Sequence, residues 1–181
     1  MEQYEKIVKN ARKEKKDERF ANSSIAHARI LTSEILLDAN NSVKILSDSF
    51  NEYFYSKLYI PIENYLKRDA LNKFEVITSK GKENNSVLSE LKQRFQDQVK
   101  LIFIKDDKFP IDKDSNEKVN YIVNDNNAYR YEYSDKDLEY GSVSAIANFN
   151  NKKESDYFIK IFNKIMEAKN KRYYSLLKQN K

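Results

Sequence analysis

The stretch KVNYIVNDNNAYRYEYSDKDLEYGSVSAIANFN, residues 118–150, predicts a β-hairpin followed by a loop and one more strand. The first arm, residues 119–123, is apolar and aromatic, and the second, residues 128–133, alternates tyrosines with charged residues. The four residues between the arms, Asn-Asp-Asn-Asn, tolerate left-handed backbone and hydrogen-bond their own main chain, as tight turns require. The stretch therefore predicts two paired strands and a last strand near residues 144–149.

Three short runs rich in Val, Ile and Phe precede the hairpin and alternate with helical patterns. The runs at residues 43–47, 74–78 and 99–104 predict strands. Pro61 lies inside the helical pattern at residues 51–68 and predicts a break near residue 59 or 60. Because such alternation is typical of parallel strands covered by helices, we expect an α/β fold. Its sheet is expected to be mixed but mainly parallel, flanked by helices, with the hairpin in the carboxyl-terminal part.

The two ends of the chain both predict helices. Residues 2–19 are charged and carry few apolar positions, so residues 1–22 are expected to form a mostly exposed N-terminal helix. Residues 23–181 are expected to form a single α/β domain that ends in a long helix. The sequence Asn-Lys-Lys-Glu at residues 151–154 predicts a capping box at the start of this helix.

Composition limits the classes of function. The chain has 181 residues, no cysteine and a formal net charge of +5, so disulfides and thiolate metal sites are excluded. The charge is uneven: residues 160–181 carry seven bases and one acid, whereas residues 106–140 carry ten acids and five bases. No apolar run is long enough to span a bilayer, and the first residues are charged, so we expect a cytoplasmic protein without a membrane segment.

Several catalytic and binding motifs are absent from the sequence. The two glycines, Gly81 and Gly141, cannot form a glycine-rich phosphate loop, and there is no G-x-S-x-G nucleophile motif. The single histidine, His27, cannot build a multi-histidine metal site. We therefore predict neither a metal site nor a cofactor.

The order of elements over residues 23–168 resembles a phospholipase D-like domain. The features that carry the resemblance are Ser-Asp-Ser-Phe after the first strand at residues 47–50, the hairpin, and Ala-Ile-Ala-Asn-Phe-Asn before the closing helix at residues 145–150. Active members of that superfamily are expected to carry H-x-K-x4-D at the hairpin, with the His as nucleophile and the Lys holding phosphate oxygens. The superfamily builds one active site from two such units, which implies a homodimer or a protein partner.

The residues at the motif positions differ from those of the active family. With the acid placed at Asp125, Lys118 stands where the His belongs and Asn120 where the Lys belongs. A lysine ammonium has no lone pair with which to attack phosphorus, and an amide cannot neutralise a phosphate charge. The resemblance thus implies a degenerate site and a protein that is more naturally a binder than an enzyme.

Three functional hypotheses follow. The first is a non-enzymatic interaction or assembly module, an accessory subunit of a bacterial or phage defence or counter-defence system. The second is nucleic-acid binding by the basic carboxyl-terminal helix, through Lys164, Lys169, Lys171, Arg172 and Lys178. The third is a nuclease or phosphodiesterase with a different polar site, built from His27, Glu34 and Ser47.

The tyrosines of the second hairpin arm allow two interpretations. Tyr129, Tyr131 and Tyr133 share one face of the strand and either cover the sheet as part of an edge hairpin or form a platform on which bases stack. Arg130 and Glu132, on the other face, predict a cross-strand ion pair of small energetic value.

Overall fold

The computed structural model describes residues 1–112, 116–132 and 142–179, with the side chains of residues 23, 142–143 and 170–179 left out. A short 3-10 turn, Asp106–Lys108, follows the fourth strand. The helices and strands are, in chain order, α1 (Glu2–Glu14), β1 (Phe20–Ser24), α2 (Ile25–Asp38), β2 (Ser42–Ser47), α3 (Glu52–Ser56), α4 (Tyr59–Arg68), β3 (Lys73–Ser79), α5 (Ser86–Arg94), β4 (Val99–Ile104), β5 (Asn120–Asn124), β6 (Tyr129–Glu132), β7 (Ser142–Asn148) and α6 (Lys152–Gln179).

The strands form one seven-stranded mixed sheet in the order β1-β7-β6-β5-β2-β3-β4. β2, β3 and β4 are parallel, as the alternating pattern predicted. The other four pairings are antiparallel, including the central one between β2 and β5. The prediction of an α/β fold is confirmed, but the prediction of a mainly parallel sheet is wrong, because the hairpin inserts beside β2 and recruits further antiparallel strands.

The local signals of the parallel half were reliable. β2, β3 and β4 lie within one residue of their predicted bounds because each is a continuous apolar run between turns. The helical pattern over residues 51–68 divides into α3 and α4. Pro61 falls in the first turn of α4, where its missing N–H leaves no helical hydrogen bond unmade.

The N-terminal segment packs more closely against the rest of the fold than its many charged residues predicted. The helix α1 ends at Glu14, where Lys15 adopts a left-handed conformation, rather than running to residue 19. Val8 and Ala11 of α1 are buried against α2. Residues Phe20–Ser24 form β1, which pairs with β7 at the edge of the sheet, and Ser24 also caps α2 by accepting from the His27 N–H at 3.2 Å.

Helices cover both faces of the sheet. On one face, α2, α4 and α5 bury a core against side chains such as Ile45 and Val76. On the other, Phe158 and Phe162 of α6 pack against Leu46 and neighbouring side chains. This three-layer arrangement places the ends of β2, β3 and β4 at one rim of the sheet. None of the described helices is both long and apolar enough to cross a membrane.

The free edge of β4 carries two lysine contacts. Lys92 Nζ donates to the Val99 carbonyl at 2.7 Å, and Lys169 Nζ donates to the Phe103 carbonyl at 2.6 Å. Backbone groups at Gln98 and Ile104 bond toward β3, so the alternation along a strand directs the carbonyls of Val99 and Phe103 away from it. The ammonium groups therefore occupy acceptors that another strand would need.

Candidate functional site

Lys118 lies at the rim where β2 and β4 end, between two carboxylates. Its ammonium is 3.3 Å from Asp48 Oδ2 and hydrogen-bonds Asp106 Oδ1, which also accepts from Ser79 Oγ at 3.0 Å. Asp48 directly follows β2, and Asp106 follows β4 by two residues. The position that the resemblance assigns to a nucleophile thus holds a cation in an ion-pair network.

The electrostatics keep this network charged at neutral pH. Burial by itself lowers the pKa of Lys118, but the hydrogen bonds and charges of Asp106 and Asp48 outweigh it, so the pKa of Lys118 lies above its ordinary value. Hydrogen bonds from Lys118 and Ser79 lower the pKa of Asp106. Both shifts favour the ionised pair, so Lys118 cannot serve as a neutral amine nucleophile here.

Asn120 and Asp125, at the other two motif positions, accept hydrogen bonds from backbone N–H groups. Asn120 is buried, and its side-chain oxygen accepts from the Asp48 backbone N–H at 2.8 Å. Asp125 lies at the opposite end of β5, in the hairpin turn, where its carboxylate accepts from the backbone N–H groups of Asn40 and Asn41, both at 2.9 Å. The structure therefore brings Lys118 and Asn120 together but places Asp125 about 16 Å along the strand from Asn120, at ~3.3 Å per residue.

A second polar group, Arg130 with Glu132, lies inside the sheet face that α2 covers. Arg130 Nη2 donates to Glu132 Oε2 at 2.5 Å, and Arg130 Nε donates to Asn22 Oδ1 at 3.3 Å. Both charged side chains are buried, because the hairpin lies in the middle of the sheet rather than at an edge. Arg130 and Glu132 form an ion pair, but it connects residues of one strand rather than of two, and its burial means that removing one partner alone leaves an unpaired buried charge.

The tyrosines on the opposite face of β6 cover the sheet. Tyr129 and Tyr131 are buried, and their ring centroids lie 5.2 and 5.5 Å from that of Phe158 in α6. These rings are therefore unavailable for base stacking. Tyr133 lies outside the described residues.

A polar cavity of about 370 Å³ opens between the loops that follow β2 and β3. Asn51 and Asn85 line it, and both are helix caps: Asn51 Oδ1 accepts from the Phe54 N–H, and Asn85 Oδ1 accepts from the Leu88 N–H. Among the described residues that line it, Lys82 is the one base. The cavity can hold water or a small polar group, and the described part of its lining contains no histidine.

The polar residues of the third hypothesis are engaged with different partners. The His27 ring stacks on Tyr4 with centroids 3.7 Å apart, and Glu34 pairs with Arg12 at 2.6 Å. His27 and Glu34 lie seven residues apart on α2, about 10 Å along its axis. Ser47 Oγ accepts from the Phe50 N–H at 3.0 Å. The described contacts do not unite these three side chains.

The basic residues of α6 fall into two groups, because the structure describes the side chains of this helix up to residue 169 and not beyond it. Lys164 is exposed, and Lys169 reaches the edge of β4. Lys171, Arg172 and Lys178 belong to the helix, but their side chains are outside the described part.

Asp48 and Asp106, the partners of Lys118, were not predicted from the sequence. A signal was present, since Asp48 comes one residue and Asp106 two residues after a predicted parallel strand, and the carboxyl ends of such strands meet at one rim. Within the described ranges, no group of three or more His, Cys, Asp or Glu side chains could hold a metal ion.

Comparison with protein-family models and with curated proteins gives no match. Among solved structures, TrmBL2, an archaeal chromatin protein with a novel mode of DNA binding, aligns with a TM-score of 0.59 and 14% identity, covering 92% of this chain and 60% of that protein. The phosphatidylserine synthase of Haemophilus influenzae Rd KW20 aligns with a TM-score of 0.55 and 13% identity, covering 90% of this chain and 40% of that enzyme. The chain thus spans less than two thirds of either protein, and what it shares with them at these identities is the fold.

Proposed function

We propose that this protein is a non-enzymatic interaction module with a degenerate phospholipase D-like fold, acting as a homodimer or as an accessory subunit of a larger assembly. The observation that carries the proposal is the ammonium of Lys118, held by Asp48 and Asp106 where the resemblance implies a nucleophile. The fold likeness to a phosphatidylserine synthase, a phospholipase D-like enzyme, supports the scaffold part of the proposal.

The chemistry of the three motif positions supports a binding role over catalysis. Lys118 is protonated and ion-paired, so it offers no lone pair to phosphorus. Asn120 fixes the turn after β2, and Asp125 fixes the turn before it. All three side chains thus have partners within the protein, and none of them needs a substrate to complete its hydrogen bonds or ion pairs.

The purified chain is expected to show no phosphodiesterase activity. With bis(p-nitrophenyl) phosphate, with and without added Mg²⁺ or Mn²⁺, the rate should equal that of buffer, because the ammonium of Lys118 is held by Asp48 and Asp106 at the position of the family nucleophile. The Lys118→Ala variant serves as the matched control and should give the same baseline. Turnover by the wild type that Lys118→Ala abolishes would overturn the proposal.

A second candidate function is nucleic-acid binding by α6. It is supported by the placement of Lys169 over β4 and by the ten helical residues beyond it, which contain three bases and no acid. The fold likeness to a DNA-binding chromatin protein agrees with this candidate. Basic side chains on an extended helix can neutralise several phosphates of one nucleic acid.

This candidate predicts salt-dependent binding. A labelled DNA duplex at ~50 mM salt should bind the full chain, and a Lys171→Glu, Arg172→Glu double variant should bind at least about tenfold more weakly, because two phosphate contacts are lost. Fluorescence anisotropy over a salt series measures the affinity of the wild type and of the variant, and how each affinity depends on salt. Binding that does not weaken with salt contradicts the candidate.

A further inference from the structure

Two arginines lie over neighbouring aromatic rings of α3 and differ in their partners. Arg130 lies over the Phe54 ring and forms an ion pair with Glu132. Arg29 of α2 lies over the Tyr53 ring, with its guanidinium carbon 5.1 Å from the ring centroid. The Nε and Nη2 atoms of Arg29 are shielded from solvent and have no hydrogen-bond partner among the described residues. Arg29 thus carries two shielded donors for which the described part of the protein provides no acceptor.

The two shielded donors of Arg29 form the edge of the guanidinium that binds carboxylates. Nε–H and Nη2–H of one arginine point in the same direction, so they can donate in parallel to the two oxygens of a carboxylate. Shielded donors without an acceptor lower the stability of a protein, and a charged group does so more than a neutral one. The edge of Arg29 is therefore complementary to a carboxylate that another molecule supplies.

The helices α2 and α4 lie side by side, with Arg29 near one end of the contact. Arg29 meets Tyr53, which precedes α4 by six residues, and Arg68 Nη1 at the end of α4 donates to the Leu37 carbonyl near the end of α2 at 3.2 Å. The two helices therefore run in the same direction. Eight residues separate Arg29 from Leu37, which is about 12 Å along α2.

The outer surface of these helices is apolar as well as basic. Four large side chains along it are more than half exposed: Leu37, Tyr53, Ile60 and Leu71. The acids of α2 and α4 are buried and ion-paired within the fold: Glu34, Asp38 and Glu63. The nearest acids outside the two helices also accept hydrogen bonds, Glu52 from the Ser86 hydroxyl and Asp69 from the Leu71 backbone N–H. We name this region the α2–α4 surface, defined by Arg29 and the four exposed side chains.

We propose that the α2–α4 surface docks an amphipathic helix of a partner protein, whose acidic side chain binds Nε and Nη2 of Arg29 while its apolar side chains cover Ile60 and Leu37. The inference rests on the proposed interaction module and deepens it by assigning the surface and the chemistry of the partner. Two helices that lie side by side form a groove that accepts a third. Since Arg29 and Leu37 are two helical turns apart, the acid and an apolar anchor of the partner are expected about seven or eight residues apart. A rotamer change of the exposed Tyr53 ring is expected to open the Arg29 edge on docking.

The first part of the test asks whether Arg29 serves the fold or a partner. Arg29→Met keeps the apolar stem and removes donors that lack an acceptor, so the Tm of the full chain is expected to stay at or above that of the wild type. Arg130→Met is the matched comparison, since it breaks a buried ion pair and should lower the Tm. A loss of Tm in Arg29→Met as large as that in Arg130→Met would show a structural role for Arg29 and overturn the inference.

The second part measures binding with a displayed library of amphipathic helical peptides, selected on the purified full chain. Enriched peptides are expected to carry an Asp or Glu with an apolar residue about seven or eight positions away. A selected peptide, synthesised with a fluorescent label, should bind Arg29→Gln at least about tenfold more weakly than the wild type. Lys153→Gln, at an exposed base near the start of α6, is the control and should bind within about twofold. Changing the acid of the peptide to its amide should add no further loss in Arg29→Gln, because both changes remove the same contact.

The failures of this inference and of the proposed function are distinguishable. Selected peptides without an acid, peptides that bind Arg29→Gln as tightly as the wild type, or a selection that enriches no peptide would overturn the inference and leave the non-enzymatic module standing. Self-association of the wild type that Arg29→Gln abolishes would assign the surface to a second copy and overturn the inference as well. Turnover of bis(p-nitrophenyl) phosphate that Lys118→Ala abolishes would overturn the proposed function, and that assay does not involve the α2–α4 surface.

Discussion

Replacement of Arg130 by methionine is expected to lower the free energy of unfolding by about 3–5 kcal/mol. Arg130 and Glu132 are only 3% and 8% exposed, and their ion pair lies in the layer between β6 and α2. Removing the guanidinium, which lies over the Phe54 ring, leaves the Glu132 carboxylate buried without its ion-pair partner. Urea denaturation followed by circular dichroism measures the change.

Two further variants make this result specific. The double replacement Arg130→Met, Glu132→Leu is expected to recover much of the loss, because it removes both buried charges together. Lys152→Met, which breaks an exposed pair with Asp156, should change the free energy of unfolding by less than about 0.5 kcal/mol. If Arg130→Met behaved like Lys152→Met, the pair would not be buried as described.

Replacement of Phe158 by alanine is expected to be equally severe, with a loss of about 3–5 kcal/mol. The Phe158 ring is 7% exposed and contacts the three tyrosines of β5 and β6, at 4.7 Å from Tyr121, 5.2 Å from Tyr129 and 5.5 Å from Tyr131. Its removal leaves a cavity at the centre of the contact between α6 and the sheet. Thermal and urea unfolding report the global loss, and amide hydrogen exchange reports how far the loss is concentrated in α6.

The adjacent residue provides the control. Tyr157 is 60% exposed, so Tyr157→Ala should lower the free energy of unfolding by less than about 1 kcal/mol. A small effect of Phe158→Ala, similar to that of Tyr157→Ala, would show that α6 is not anchored through this ring.

The elements that the sequence predicted well are those with strong local signals. β2, β3 and β4 are apolar runs, and α5 begins at Asn85, whose side chain accepts from the Leu88 N–H as an N-cap does. Asn151 likewise caps α6 by accepting from the Glu154 N–H at 3.0 Å. Each of these features depends on residues within four positions of one another, so the sequence alone contains the information.

The features that the sequence did not predict depend on contacts between distant parts of the chain. β1 has only Phe20 and Ala21 as apolar residues and exists because β7, more than a hundred residues later, pairs with it. The antiparallel pairing of β2 with β5 decides the character of the sheet, and no local pattern in either strand specifies its partner. The hairpin was therefore expected at an edge, and its charged residues on the surface.

The candidate site was predictable only in part. The motif positions Lys118 and Asn120 could be located by alignment with the family pattern, but their partners Asp48 and Asp106 come from the ends of two other strands. Conversely, His27 and Glu34 share a helix, yet Tyr4 and Arg12 of α1 engage them separately. Proximity in sequence was misleading where α1 folds back onto α2.

The lysine contacts on β4 have a consequence for how the sheet meets other chains. A strand that adds to this edge must first displace the ammonium groups of Lys92 and Lys169 from the carbonyls of Val99 and Phe103. Lysine contacts of this kind hinder the edge-to-edge association of sheets from different molecules. Because Lys92 lies in α5 and Lys169 in α6, this edge accepts another strand only where both helices give up these contacts.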